Sequence, residues 1–164
     1  MLELVTEEDA QFIIDLRSGK RSKYISYTEP DILKQINWIK QYKIREQSNL
    51  EYYFIVKDVH GIRWGTSRLY NFDNKKFEIG SWVFLDNSPF GMAIKADIIT
   101  REIAFEQLGF ESCKFEVRKE NKTVLKYHYS YKPVLVAEDE LNFYFELNKT
   151  DFYKYRDKLI TILL

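Results

Sequence analysis

The chain opens on a short apolar stretch, Leu2, Leu4 and Val5, and then takes up a helical period. Thr6, followed three residues later by Asp9, has the form of an N-cap with an acid in the first turn. It predicts a helix from about Glu7 to Arg17, with Phe12, Ile13 and Leu16 on one side. Gly19 and a polar stretch break the pattern over Ser18–Pro30. Ile32, Ile36, Ile39 and Ile44, with Leu33 and Trp38, then recur at near-helical spacing, so a second helix is expected to end near Gln47–Asn49. After that the period shortens. Tyr52–Val56 is aromatic and β-branched, Asp58–Gly61 reads as a turn, and Ile62–Tyr70 resumes as a strand, which makes a hairpin. A further turn over Asn71–Lys75 leads into Phe77–Phe84, a strand with Gly80 inside it, where glycine marks a bulge or the close approach of another backbone.

Asp86–Gly91 is a turn-rich loop, and the residues from about Met92 to Leu108 predict a helix closed by Gly109. Cys113–Val117 reads as a strand, Asn121 to about Tyr131 as a short helix, and Pro133 as its stop. Val134–Ala137 and Leu141–Leu147 form a closing strand pair, followed by an amphipathic piece from Asp151. This mixed order lacks the βα alternation of a doubly wound sheet and the even strand spacing of a sandwich, so the fold class is α+β. With no internal repeat and no linker-like stretch, residues 1–164 are expected to form a single domain.

Composition narrows the function. Lys plus Arg and Asp plus Glu both number 25, so no global field gathers nucleic-acid phosphates or anionic lipid, and a dedicated nucleic-acid binder is not expected. The first ten residues carry acids and no Lys or Arg, the reverse of an export signal. The longest charge-free run, Asn87–Ile94, is far below the roughly 20 apolar residues of a membrane helix. A cytoplasmic location with no membrane contact follows as the expectation. Cys113 precedes an apolar strand and reads as core, with nothing nearby in sequence to depress its pKa. Two His and one Cys far apart offer no metal-ligand spacing, so no metal is expected. His60 falls in a turn and reads as solvated, and the Gln35, Trp38 and Ile39 trio reads as a helix packing face. The high aromatic content, 16%, serves packing or an aromatic-walled cleft.

The segment that carries chemistry is Glu78–Ala93. It joins a strand with an internal glycine to a loop containing Ser88, Pro89 and Gly91 and then to a helix start. Unpaired N–H groups and the positive end of the helix dipole converge there, which suits a phosphate or pyrophosphate. An ordinary strand-to-helix turn fits the same residues.

These residues resemble the GNAT N-acetyltransferases, which use acetyl-coenzyme A. The family signature is a strand ending in Val, a turn, then Gln or Arg, two residues, Gly, one residue, and Gly or Ala at the helix start. Val83, Ser88, Gly91 and Ala93 take those positions. Ser88 departs from the long polar residue, and Leu85 stands where a proline is frequent. Leu108-Gly109-Phe110, Val117, Asn121 and Val124 continue the likeness downstream. Where the family frequently has a tyrosine seven residues after that Asn, this chain has His128 between Tyr127 and Tyr129, and the usual Gly-Phe is Lys132-Pro133.

The resemblance implies a central mixed, mostly antiparallel sheet flanked by helices. The strand around Trp82–Leu85 would splay from that around Phe115–Val117, with the pantetheine of acetyl-coenzyme A in the opening. The amides of Phe90, Gly91, Met92, Ala93 and Ile94, beside Ser88, would hold the pyrophosphate, and Asn121 would touch the cofactor arm. The amide near Val83 would stabilise the oxyanion formed when an amine attacks. That amine must be neutral, and Glu78, on the strand leading into the opening, is the candidate base; a solvent-facing strand Glu is its plain alternative. His128 or Tyr127 would supply a proton to the leaving thiolate, against a half-exposed helix residue for His128.

In its first third the chain resembles the GNAT branch that acylates nucleotide-linked amino sugars, through Leu16-Arg17, Tyr24-Ile25-Ser26, Gln35, Trp38-Ile39, Tyr42, Arg45-Glu46, Tyr52–Ile55 and Gly65–Tyr70. Arg17 and Tyr24 would then face the acceptor, Arg17 pairing with a phosphate or carboxylate. The branch that acetylates ribosomal-protein N-termini shares much of this. Ser88 and the missing Gly-Phe keep open a non-catalytic module that binds coenzyme A or another ligand. An exposed edge or the aromatic C-terminal strand is compatible with a homodimer.

Overall fold

Alternation along the strands gives the sheet two apolar faces, and each recruits its own helices. In the computed structural model, which describes residues 1–163, the strands are β1 (Leu2–Leu4), β2 (Tyr52–Lys57), β3 (Arg63–Asp73), β4 (Lys76–Phe84), β5 (Ser112–Arg118), β6 (Val134–Glu138) and β7 (Asn142–Asn148). They form one sheet in the order β1-β2-β3-β4-β5-β7-β6, antiparallel throughout except between β4 and β5. On one face Val5, Tyr53 and Ile55 pack against Ile13 of α1 (Ala10–Ser18) and Ile39 and Tyr42 of α2 (Ile32–Gln47). On the other, Leu69, Phe77, Ile79, Phe115 and Phe145 bury Ile98 of α3 (Met92–Glu102), Leu125 of α4 (Lys122–Tyr129) and Phe152 of α5 (Lys149–Leu163).

Local chemistry moves several expected boundaries. Strand β3 runs on to Asp73, so the turn expected over Asn71–Lys75 shrinks to Asn74–Lys75, with Asn71 and Asn74 both at positive φ. The break at Ser18–Pro30 holds a 3₁₀ turn over Lys20–Tyr24. Helix α3 continues as a π-helical turn, Ile103–Gln107, and α5 begins at Lys149, where Asn148 Oδ1 accepts the Asp151 amide at 2.8 Å.

Beside Gly80 the backbone does bulge. Arg68 pairs with Gly80 and Thr66 with Val83, so Ser81 and Trp82 together oppose Ser67. Ser81 adopts φ 48°, and its carbonyl accepts the Thr66 hydroxyl at 2.6 Å. The group that closes on Gly80 is a side chain rather than another backbone: a Cβ there would lie 2.8 Å from Tyr70 Oη. A bulge bends its strand and increases the local twist. Strands β4 and β5 accordingly pair only from Lys76–Glu78 to Ser112–Lys114, while β4 stays with β3 as far as Phe84 and β5 with β7 as far as Arg118. The sheet opens between them.

Candidate active site

That opening is a cavity of about 850 Å³. Ile79–Phe84 of β4 and Phe115–Arg118 of β5 flank it, α3 and α4 close it on one face, and the connection between α1 and α2 closes it on the other. Beyond Glu78, β4 has no strand partner on the β5 side, so its backbone groups there are left to a guest. Val83 and Trp82 stand on this wall, and Trp82 is fixed by its indole N–H, which donates to the Ala93 carbonyl at 3.0 Å. Asn121 also lines the cavity, where its Oδ1 caps α4 by accepting the Val124 amide at 3.3 Å.

The loop before α3 ends on Gly91, the helix N-cap, at φ 75°. A glycine has no side chain to cap the helix; the Met92 amide donates to Pro89 O, and the Lys95 amide to Gly91 O. The amides of Ala93 and Ile94 are left in the first turn, and both residues line the cavity, an arrangement whose geometry suits an anion. The expected set is thus narrower. Phe90 is 85% exposed and off the cavity wall, and Ser88, Gly91 and Met92 shape the loop without lining the cavity. Arg21 ties this loop to the opposite lip: its guanidinium donates to the Asp86 carbonyl at 2.9 Å and pairs with the Asp86 carboxylate at 3.3 Å.

Glu78 is not brought into the cavity. Its Oε2 accepts from Asn71 Nδ2 at 3.0 Å, and it faces Tyr70 across β3–β4. Two carboxylates do line the opening: buried Asp97 of α3, and exposed Glu116, two residues further along β5 from Lys114, the register partner of Glu78. Sequence reasoning passed over Glu116 because one acid on an alternating strand carries no signal until the splay is known.

Tyr127 and His128 both reach the cavity from α4. Far from being half exposed, His128 is buried, with its ring 4.5 Å from Phe115 and 5.7 Å from Trp82, and among the described residues its Nδ1 has no partner. Burial pushes its pKa down to about 3, so the ring is neutral at physiological pH. The Tyr127 ring stacks on Trp82 at 5.3 Å, and its hydroxyl donates to Asp97 Oδ2 at 2.7 Å. Burial, and then Asp97, raise its pKa well above the ordinary value. Asp97 also takes Arg101 Nε at 3.0 Å, an i,i+4 pair that is wholly buried. The pair was legible in principle, as two charges flanking Ile98 on the apolar side of α3. Arg101 Nη1 lies 2.9 Å from Cys113 Sγ, so a cation does adjoin that thiol, contrary to the sequence reading. Burial nevertheless dominates and holds the thiol up at about 12.

Opposite α3 and α4, Arg17, Lys20, Arg21, Lys23 and Tyr24 form a cationic lip, faced by Arg118 of β5. Arg17 donates to Ser26 O at 2.9 Å, to Ser26 Oγ at 2.8 Å and to the Thr28 hydroxyl, all neutral oxygens. Among the described residues neither Lys20 nor Arg118 has an ion-pair partner, and no group of three or more His, Cys, Asp or Glu side chains is placed to hold a metal ion.

The acetyltransferase (GNAT) domain family matches residues 1–128 of the chain. Among solved structures, FdhC, described as a nucleotide-linked sugar GNAT, is 35% identical, with a TM-score of 0.86 over 96% of this chain and 90% of that one. A variant of the spermidine N-acetyltransferase SpeG from Vibrio cholerae superposes with a TM-score of 0.76 at 15% identity, covering 96% of this chain and 97% of that one. The ribosomal-protein-S5-alanine acetyltransferase from Vibrio fischeri gives 0.77 at 15%, covering 90% and 92%. The latter two share the fold. No curated protein matches the sequence.

Proposed function

Because the chain belongs to the GNAT acetyltransferase family and is an acetyl-coenzyme A-dependent N-acetyltransferase, we propose that its acceptor is the amine of a nucleotide-linked amino sugar. The observation that carries this reading is the cationic lip of Arg17, Lys20 and Lys23 over the opening, faced by Arg118, with Arg21 beside them paired to Asp86. It attracts an acceptor that bears phosphate and repels a polycation such as spermidine. The 35% identity with a nucleotide-linked sugar GNAT over nearly the whole chain supports the same class.

The residues present fit the cofactor. Free amides at Ala93 and Ile94 suit a pyrophosphate, and the unpartnered edge of β4 suits an extended arm with amides of its own. Bound acetyl-coenzyme A supplies an activated thioester. Trp82 and Val83 form the wall along which that arm would lie, and Asn121 stands at its far side. A backbone N–H near Val83 would stabilise the carbonyl oxygen as it gains charge. Glu116 replaces Glu78 as the acid–base candidate: its carboxylate would take the amine's proton directly or through water, keeping the nucleophile neutral. Of the two donor candidates, Tyr127 directs its proton to Asp97, whereas His128 has an uncommitted ring. A neutral imidazole N–H would then hydrogen-bond the leaving thiolate without giving up its proton.

The test is acetyl transfer by the purified protein to an amino-sugar nucleotide, the free amino sugar, spermidine and a peptide with a free N-terminus. The expected order puts kcat/KM for the nucleotide-linked sugar highest by about 100-fold or more, which is about 2.8 kcal/mol of transition-state preference. Preference for spermidine or for the peptide overturns the reading.

A further inference from the structure

A second chamber of about 380 Å³ adjoins the first and shares Arg17, Ser26, Arg68 and Ser81 with it. It lies over the α2 side of the sheet, where Trp38 and Tyr53 meet edge to face at 5.9 Å. Gln35 forms part of its wall. The residue is only 8% exposed, yet no group among the described residues hydrogen-bonds its side-chain amide. The amide is not sealed off: it opens onto the chamber, free to pair with solvent or with a guest there. Trp38, read from the sequence as packing, is 37% exposed here, with the Arg68 guanidinium 5.1 Å from its ring.

We propose that this second chamber is the nucleobase subsite of the acceptor, with Gln35 reading the base and Arg17 passing the diphosphate from one chamber to the other. The inference rests on the nucleotide-linked acceptor proposed above. Three features agree with it. The Gln35 amide sets a donor beside an acceptor, the complement of a base edge that does the same. The aromatic edges of Trp38 and Tyr53 suit a flat heterocycle. Arg17, bound only to neutral oxygens among the described residues, stands where the chambers join and keeps its charge for a phosphate, whereas Arg68 is held by Glu51, a carboxylate it shares with Arg45. The reactive sugar would then extend into the first chamber, toward the bulge at Ser81 and the wall at Val83.

The experiment is calorimetric titration of the full chain, saturated with coenzyme A to block the cofactor site, with uridine, thymidine and guanosine diphosphates and with inorganic pyrophosphate. At least one nucleoside diphosphate is expected to bind ten or more times tighter than pyrophosphate. Gln35→Leu should weaken that binding about tenfold and leave pyrophosphate and coenzyme A affinities unchanged. Gln35→Met, which keeps the length, loses the amide and adds no charge, should do the same and guards against a folding defect in the leucine variant. Nucleoside diphosphates no tighter than pyrophosphate, or affinity indifferent to both substitutions, overturn the subsite. Gln35-dependent nucleotide binding without acetylation of any amino-sugar nucleotide would refute the acceptor reading and leave the subsite standing. Turnover of such a sugar that ignores Gln35 would do the opposite.

Discussion

The Tyr127 hydroxyl donates a hydrogen bond to Asp97 across 2.7 Å, so a side chain of α4 is tied to α3 in the wall of the opening. Arg101 completes the contact from the next turn of α3, and both charges are buried. Removing one partner of such a pair leaves the other uncompensated, which costs about 3–5 kcal/mol. Asp97→Ala should therefore lower unfolding stability by that amount in urea titrations. Tyr127→Phe, which removes one hydrogen bond and keeps the ring on Trp82, should cost only about 1 kcal/mol. If Asp97→Ala costs no more than Tyr127→Phe, the buried pair is not what holds this region.

His128 makes stability depend on pH with a defined sign. Its folded pKa, about 3, lies below the ordinary value of 6.5 because burial disfavours the charged ring. The unfolded chain therefore binds the proton first as pH falls. Stability is full above about pH 6.5 and declines below it, by up to about 1.4 kcal/mol per pH unit for this one group. His128→Phe should flatten that slope between pH 6.5 and 4, measured as urea midpoints. Exposed His60 serves as the control, and His60→Asn should leave the slope in place.

The two carboxylates near the opening make opposite predictions. Glu116 lines the cavity and Glu78 does not. Loss of a general base typically costs about 10²-fold or more in rate. Glu116→Gln should reduce kcat by about that factor, with a smaller change in acetyl-coenzyme A affinity. Glu78→Gln should stay within about threefold of the parent, since its carboxylate is engaged by Asn71 at the β3–β4 surface. A large kcat effect confined to Glu78→Gln would return the role to that residue through a water chain.

How far the sequence could reach depends on where each signal lies along the chain. Periodicity located α1 and α2, each of which buries one face, while the β-branched and aromatic runs between turn residues located the β2–β3 hairpin and the closing β6–β7 pair, although β6 is exposed along its length. Gly91 and Ala93 could be placed at a helix start because loop, glycine and helix are contiguous. Glu116, the α4 partner of Asp97 and the second chamber could not be found this way. Their meaning comes from partners far away in sequence: Asp97 meets Tyr127 thirty residues on, and Gln35 shares a chamber with Tyr53 and Arg68. The position of Glu78 outside the cavity wall was out of reach for the same reason. Its strand does lead into the opening, but the splay begins only beyond its own register pair with Lys114.

Gly91 offers a last prediction, with an internal control. At φ 75° it holds the loop so that the Ala93 and Ile94 amides stay free, and an alanine there pays the left-handed penalty of about 1–2 kcal/mol. A free loop can relax away from that strain, but a loop gripping a pyrophosphate must restore it, so the penalty falls on binding. Gly91→Ala should weaken acetyl-coenzyme A binding by about 5- to 30-fold and shrink the thermal shift the cofactor produces. Gly109, at φ 74° with nothing within 4 Å of an added Cβ, carries the same strain away from the cavity. Gly109→Ala should lower stability by a similar amount while leaving cofactor affinity unchanged. Equal losses of affinity in the two variants would mean that general destabilisation, rather than the geometry of the loop, sets cofactor binding.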